Sequence, residues 1–419
     1  MFKKLNLQEK IFLIFTFVLG LFLSIVYLSN QVIVQDSVQL LERGYLFSQG
    51  YLFPFGPRST NTNYVYGPFI SVFVGLFLKL YQHPLSPLMG ILVLHVGSFF
   101  LLLRTTFLTK NLQSFLVFIF LFWATPWRAS EVFLWNPAFL FPLSALWLYG
   151  LDCCLRNKSF LGTFLMVISI AINFQIHNSF LFLAVLSLIL VFTKTMRVNY
   201  LAVFLGALVG ILLLLPTVYV VLKHPEILQQ NQKKAPLFHN LIQGGEALKG
   251  LLYWFRYPSL YFGATTFQLP KLIWNMANFQ QKVWFILKWS MALLSLVVVI
   301  VANFKFFRSM NPSFLKRLTL YALGSLLFVS CLSPVPFNFW HLYLIFPFSL
   351  IPLSEYLSHR KKFIPILLAI SFYNILYSVI TSSRSYKHDA TSSQMNSFDK
   401  IRNHYPEIEK KYVKYSLKL

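Results

Sequence analysis

Residues 199–222 read NYLAVFLGALVGILLLLPTVYVVL, a run without Asp, Glu, Lys or Arg. At about 1.5 Å per residue, a helix of this length crosses the roughly 30 Å apolar core of a bilayer. Comparable runs recur along the chain at 11–29, 86–103, 112–126, 137–151, 161–176, 179–193, 283–303, 318–333, 340–357 and 363–380. The sequence therefore predicts an all-α fold, a polytopic membrane helical bundle of about eleven transmembrane helices.

Composition agrees with a membrane protein and excludes several soluble classes. Apolar residues make up 57% of the chain and charged residues 11%, whereas soluble domains carry about a quarter charged residues. The net charge of +24 comes from Lys and Arg scattered between apolar runs, which form no basic groove, so nucleic acid is excluded as a partner. Three cysteines cannot build a disulfide framework. The sequence also lacks a phosphate-binding glycine loop, a dinucleotide fingerprint and a nucleophile elbow.

Segment 69–81 is apolar but too short to span, and it contains Lys79. If it does not cross the membrane, most basic clusters of the short loops fall on one side, which the positive-inside rule assigns to the cytoplasm. We therefore expect an interfacial juxtamembrane helix at 69–81, within the first outer loop. The N-terminus is predicted to be cytoplasmic and the first helix to be an uncleaved anchor.

This topology predicts a membrane-embedded domain over residues 1–380 and a polar C-terminal tail over 381–419. The domain has three outer loops, at 30–85, 127–136 and 223–282. The tail also lies on the outer, non-cytoplasmic side, and its polar composition predicts a solvated appendage with one short helix. The expected location is a bacterial cytoplasmic membrane, with an endoplasmic reticulum membrane as the alternative.

Carboxylates are few, and two in the outer loops are candidate catalytic groups. Asp36 follows the first helix by about seven residues and lies near the membrane surface, where it is suited to act as a general base or as half of a metal site. Its alternative role is a helix N-cap or a solvated loop acid. Glu131 is a second acid over the same region, and its alternative is an ion pair with Arg128 on a short surface helix.

Polar residues also interrupt the apolar pattern at two further places. The segment NFQIHNS, residues 173–179, predicts a binding role for Gln175 and His177, either hydrogen bonding or cationic, against the alternative of a tight loop. In the third outer loop, Arg256 lies in the aromatic run YWFRY, residues 253–257. This run is suited to gripping a sugar or lipid headgroup, and an interfacial aromatic belt explains it equally well.

The arrangement of loops and acids resembles the GT-C superfamily of integral membrane glycosyltransferases. The most similar group is the bacterial branch of the protein O-mannosyltransferases, with the aminoarabinose and lipopolysaccharide-core sugar transferases. The resemblance covers roughly residues 1–200. Asp36 matches the family's first-loop acid, and YVYGPF, residues 64–69 with Tyr66, matches the opening of the juxtamembrane helix. Glu131 lies at the second-loop acid, where the family usually has Asp, and His177 lies near the family's phosphate-binding Lys.

The resemblance implies a transferase that moves a sugar from a polyprenyl-phosphate donor to a lipid, glycan or protein acceptor at the outer face. It implies that Asp36 is the base, that Glu131 is a second catalytic acid, and that His177 and Arg128 neutralise the lipid phosphate. Tyr66, Gln175 and Arg256 are further candidate substrate-binding residues. A divalent cation, Mg²⁺ or Mn²⁺, would have Asp36 and Glu131 as its ligands. The alternatives are a flippase of lipid-linked glycans, a polysaccharide polymerase or ligase, and a non-catalytic assembly subunit.

Overall fold

The computed structural model of the protein describes residues 5–30, 35–56, 65–109, 111–227, 244–259, 279–309, 313–333, 338–359, 363–384 and 390–419. Within these ranges the chain is almost entirely helical. The α-helices are α1 (Leu7–Ser29), α2 (Gln35–Ser48), α3 (Phe69–Leu80), α4 (Leu85–Leu103), α5 (Leu112–Trp123), α6 (Pro126–Ser130), α7 (Leu140–Leu155), α8 (Ser159–Ile176), α9 (Phe180–Phe192), α10 (Tyr200–Lys223), α11 (Gly244–Arg256), α12 (Phe279–Arg308), α13 (Phe314–Cys331), α14 (Phe346–Ser358), α15 (Phe363–Arg384), α16 (Ala390–Asn403) and α17 (Tyr405–Tyr412). Short 3₁₀ helices lie at Thr106–Thr109, Asn136–Phe139, Phe339–Ile345 and Val413–Tyr415, and strands β1 (Tyr51–Leu52) and β2 (Leu417–Lys418) pair antiparallel.

Eight described helices are long and apolar enough to cross a membrane. They are Leu7–Ser29, Leu85–Leu103, Leu112–Ser130, Asn136–Leu155, Ser159–Ile176, Tyr200–Lys223, Trp289–Arg308 and Phe314–Cys331. The predicted helical membrane bundle is therefore confirmed in its fold class, while the count of eleven crossings stays a prediction.

The three other predicted spans differ from one another in the structure. Segment 179–193 forms the 13-residue helix α9. Segment 340–357 divides into the 3₁₀ helix Phe339–Ile345, which has a non-helical residue at Leu342, and α14. Segment 363–380 lies within the continuous 22-residue helix α15. Hydropathy did not predict the break near Leu342, because hydropathy measures apolarity and not backbone geometry.

The centre of the bundle is formed by α5 and α14. Every residue of α5 from Ser114 to Trp123 is buried, and so is most of α14. The two helices are joined near one end by a 2.7 Å hydrogen bond between the hydroxyls of Ser114 and Ser358. By contrast, α10 and α12 expose large apolar side chains on their outer faces. This distribution suits helices that face lipid, where exposed apolar surface has no cost.

One buried acid on the predicted cytoplasmic side has a structural role. Asp152, near the end of α7, accepts hydrogen bonds from the hydroxyl of Thr106 at 2.8 Å and from the backbone N–H of Phe107 at 2.9 Å. Its other oxygen lies 2.7 Å from the guanidinium of Arg156, four residues later. These contacts join α7 to the segment after α4.

The polar C-terminal tail is not a solvated appendage, so that expectation was wrong. Its helices α16 and α17 pack on α2, and Phe398, Ile401, Ile408 and Tyr412 are buried there. The prediction failed because these four apolar side chains lie among many charged residues, and their common partner surface on α2 is more than 340 residues away in sequence.

The four segments predicted to lie on the outer side contact one another. The hydroxyl of Ser37 in the first loop donates to the carbonyl of Leu134 in the second at 2.8 Å. The hydroxyl of Thr217, near the end of α10, donates to the carbonyl of Pro54. Lys414 of the tail lies 3.7 Å from Glu226, just after α10. These segments therefore form one end of the bundle, which we call the outer end.

Candidate functional site at the outer end

Asp36 lies in the first turn of α2, with its side chain exposed. An acid at this position interacts favourably with the positive end of the helix dipole. The next residue, Ser37, is buried and hydrogen bonded to Leu134, which docks the start of α2 on the second outer loop. The same loop contains Glu131, so the two predicted acids belong to segments that contact each other.

Glu131 terminates the short helix α6, which begins at Pro126 after an extended Thr125. The Glu131 side chain is buried, with 4% of the residue exposed. One carboxyl oxygen accepts the indole N–H of Trp135 at 2.9 Å, and the other accepts the hydroxyl of Tyr343 at 2.5 Å. Glu131 is thus held at both oxygens by side chains from two segments far apart in sequence.

Burial raises the pKa of Glu131 from 4.5 to about 8, although the hydrogen bonds from Tyr343 and Trp135 act in the opposite direction. At neutral pH the Glu131 side chain is therefore mainly a neutral carboxylic acid. A protonated acid is a poor cation ligand, and in the described part of the chain no three His, Cys, Asp or Glu side chains converge on a common point. These residues do not fit a cation held at Glu131.

Aromatic rings and one arginine surround Tyr343. The rings of Trp127 and Tyr257 have centroids 5.5 Å apart, and Tyr257 lies 5.8 Å from Tyr343. The Arg256 guanidinium lies 5.6 Å from the centroid of Trp127 and 5.3 Å from that of Tyr253. Burial lowers the pKa of Arg256, and the neighbouring tyrosines oppose this effect. The structure therefore brings Arg256 into the aromatic cluster that also binds Glu131.

Arg128 points away from this cluster and into the packing of α1. It is fully buried, and its guanidinium donates to the carbonyls of Trp123 and Gly20 at 2.9 and 2.8 Å, and to the hydroxyl of Ser24 at 2.9 Å. The guanidinium also stacks on Trp123, 3.9 Å from its ring. The alternative ion pair between Arg128 and Glu131 is not formed. Arg128 joins α1 to the end of α5, and these contacts give no support to a phosphate-binding role.

His177 follows α8 in an extended conformation, and its ring lies 5.2 Å from that of His341. Its Nδ1 accepts the backbone N–H of Ser179 at 3.1 Å, which leaves the proton of the neutral ring on Nε2. Burial lowers the pKa of His177 to about 3. Of the two binding modes considered for His177, the structure favours hydrogen bonding by a neutral ring over a cation.

Gln175 and Tyr66 lie beside this pair, where the first outer loop meets the end of α8. Gln175 is fully buried, and both polar atoms of its amide lack a partner in the described part of the chain. It packs on Gly67, whose φ of +112° favours glycine and whose missing Cβ would lie 2.4 Å from Gln175 Cγ. Tyr66 is half-buried and pairs with Phe55 through the backbone.

The 3₁₀ helix Phe339–Ile345 connects these groups, because His341 lies beside His177 while Tyr343 binds Glu131. Sequence reasoning missed both residues by assigning 340–357 to a continuous span. The signal was present, since Asn338, His341 and Tyr343 are polar interruptions in an apolar run that follows two prolines. Tyr257 was noted only as part of an aromatic run.

Comparison of the chain with models of known protein families, with curated proteins and with solved structures finds no match.

Proposed function

We propose that the protein is a membrane glycosyltransferase that moves a sugar from a polyprenyl-phosphate donor to a lipid, glycan or protein acceptor at the outer end. The observation that carries the proposal is the hydrogen bond from Ser37 to Leu134, which docks the helix of Asp36 on the loop of Glu131. The segment Phe339–Ile345 then joins Glu131 to His177 through Tyr343 and His341. The segments that carry an exposed acid, a buried neutral acid and a pair of histidines are thus connected to one another.

In this mechanism Asp36 accepts the proton of the acceptor hydroxyl. The acceptor oxygen attacks the anomeric carbon with inversion, and the bond between that carbon and the phosphate oxygen breaks. The electron pair of the broken bond goes to the departing polyprenyl phosphate. Asp36 is suited to the base role because its exposed position leaves it accessible to an acceptor from solution.

The departing phosphate gains negative charge, and N–H donors stabilise it. His177 is neutral at pH 7 and supplies such a donor without a prior proton uptake, and His341 lies beside it. Arg256 supplies positive charge from the third outer loop. The buried rings of Trp127 and Tyr257 pack beside Arg256 and fix its position.

Glu131 acts in this scheme as a neutral hydrogen-bonding group and not as a base or a cation ligand. Its two contacts, to Trp135 and Tyr343, fix the second outer loop against the Phe339–Ile345 segment. The second acid thereby maintains the shape of the site, and Asp36 carries the proton transfer.

We further propose eleven crossings of a bacterial cytoplasmic membrane, with the N-terminus in the cytoplasm and the C-terminus outside. The distribution of Lys and Arg among the short loops supports this orientation. For α3, an interfacial position is supported by its 12-residue length and by Leu76, Leu80 and Tyr81, which are exposed at or just after its end.

The test is a transfer assay in membranes that contain a pool of radiolabelled polyprenyl-phosphate sugars. Asp36→Asn keeps the shape of the side chain but removes the base, so label transfer should fall by a factor of about 10² to 10⁴. Glu9→Gln is the matched control, because Glu9 lies in the first turn of α1 and Gln preserves its capping box. Equal transfer by wild type and Asp36→Asn would refute the base assignment. Donor movement across vesicles without transfer would favour a flippase.

A further inference from the structure

The C-terminal residues Tyr405–Leu419 pack against the middle of α2, and we call them the C-terminal latch. The hydroxyl of Tyr412 donates to Glu42 at 2.8 Å, and the ammonium of Lys411 lies 3.0 Å from the same carboxylate oxygen. The Tyr412 ring lies 5.6 Å from the guanidinium of Arg43, which is almost fully buried on α2. Arg43 also stacks on Phe53 at 5.0 Å.

The latch also continues beyond α17 into backbone pairing. Strand β2 pairs with β1, with Lys418 opposite Tyr51 and Leu417 opposite Leu52. The backbone N–H of Leu419 donates to the carbonyl of Gly50 at 2.8 Å. Residues 417–418 therefore add a second strand to β1, which belongs to the first outer loop. Side-chain contacts on α2 and backbone contacts after it hold the same region.

We infer that the C-terminal latch holds α2 in the position that sugar transfer requires. Arg43 and Tyr412 are positioning residues, because they fix the helix that carries Asp36. The inference rests on the proposed function. Helix α2 has 14 residues and moves as one rigid element of about 21 Å. Asp36 at its start and Arg43 two turns later therefore shift together. At the start of α2, the hydrogen bond from Ser37 to Leu134 limits rotation of the helix. The latch limits the same rotation at the middle of α2, through Glu42 and Arg43, and just after the helix, through β1.

The first test removes the central ring of the latch with Tyr412→Ala. In the purified full-length protein, hydrogen exchange of the α2 amides should quicken at least tenfold. Transfer turnover at saturating donor should fall at least tenfold, while the KM for the donor changes less than twofold, since Tyr412 touches α2 and not the candidate site. Lys400→Ala is the control, because Lys400 is exposed in the preceding helix α16.

The second test restores the latch by another bond. Tyr51 and Lys418 face each other across the two strands, so Tyr51→Cys with Lys418→Cys should form a disulfide under oxidation. The pair is placed in a protein whose three native cysteines are replaced. In combination with Tyr412→Ala, oxidation should restore slow exchange of α2 and return turnover to within threefold of wild type, and reduction should reverse both effects.

Unchanged exchange of α2 in Tyr412→Ala would overturn the inference. Faster exchange with unchanged turnover would overturn the link from the latch to Asp36. If the wild-type protein transfers no sugar, the proposed function fails, and the exchange data still decide whether the latch holds α2. If Tyr412→Ala does not yield folded protein, the disulfide variant alone decides, because it keeps every native latch residue except Lys418. Its α2 amides should then exchange more slowly when oxidised than when reduced, and equal exchange in the two states would overturn the inference.

Discussion

Replacing Glu131 by Gln should abolish a pH dependence of stability that the buried acid imposes. Gln has the same shape, is neutral at all pH values, and can still accept one hydrogen bond. In the wild type, burial raises the pKa of Glu131 from 4.5 to about 8, so the folded state binds a proton that the unfolded state has lost in this range. The stabilising contribution is therefore complete below about pH 4.5 and is lost as pH rises through 8.

The magnitude follows from the shift in pKa. One pKa unit corresponds to about 1.4 kcal/mol, and a folded pKa near 8 gives a loss of about 1 to 2 kcal/mol between pH 7 and pH 9. His177 has a folded pKa of about 3, lowered from 6.5 by burial, so it takes up a proton mainly below this range. The interval from pH 7 to 9 therefore isolates Glu131 from His177.

The assay is equilibrium unfolding of the purified protein from mild detergent into SDS, followed by tryptophan fluorescence at several pH values from 7 to 9. The free energy of unfolding should fall with pH in wild type relative to Glu131→Gln. In Tyr343→Phe the fall should continue to higher pH, because loss of the Tyr343 hydroxyl raises the folded pKa of Glu131 further. Parallel profiles of wild type and Glu131→Gln would refute the claim that Glu131 is protonated at neutral pH.

Two further predictions concern the packing around the candidate site. Gly67→Ala should destabilise the protein by about 1 to 3 kcal/mol more than Gly50→Ala in the same unfolding assay. Both glycines have positive φ, but only at Gly67 would a Cβ clash with Gln175. Equal losses of stability in the two variants would contradict the close contact. Arg128→Met should cost about 2 to 4 kcal/mol through the loss of its three buried hydrogen bonds to α1 and α5, measured against the exposed Arg104→Met. A stable Arg128→Met protein that has lost only sugar transfer would return Arg128 to a phosphate-binding role.

The apolar runs were sufficient to predict the membrane bundle, because lipid requires long helices with satisfied backbones. Residues 199–222 and α10 agree within one residue at each end. The same reasoning did not predict the break within 340–357, where the chain is apolar but changes from a 3₁₀ helix to an α-helix at Phe346. Periodicity and hydropathy carry no information about such a break, although the polar residues His341 and Tyr343 marked its position.

The candidate site was predictable in its parts and not in its assembly. Spacing singled out Asp36 and Glu131, but the protonation of Glu131 depends on burial and on Tyr343, which is 212 residues away in sequence. Arg128 was predicted to face a substrate because its position near a loop suggested exposure, whereas its guanidinium lies on the backbone of α1. Only tertiary contacts decide between these two outcomes.

We propose that Asp36 is the general base in the transfer of a sugar from a polyprenyl phosphate. The most direct test of this role uses purified protein in liposomes with a donor selected from the labelled pool, and follows the donor phosphodiester and the product phosphomonoester by ³¹P NMR. The account predicts one polyprenyl phosphate released for each sugar transferred by wild type, and a rate lower by a factor of about 10² or more in Asp36→Asn. Release by Asp36→Asn within twofold of the wild-type rate would contradict it.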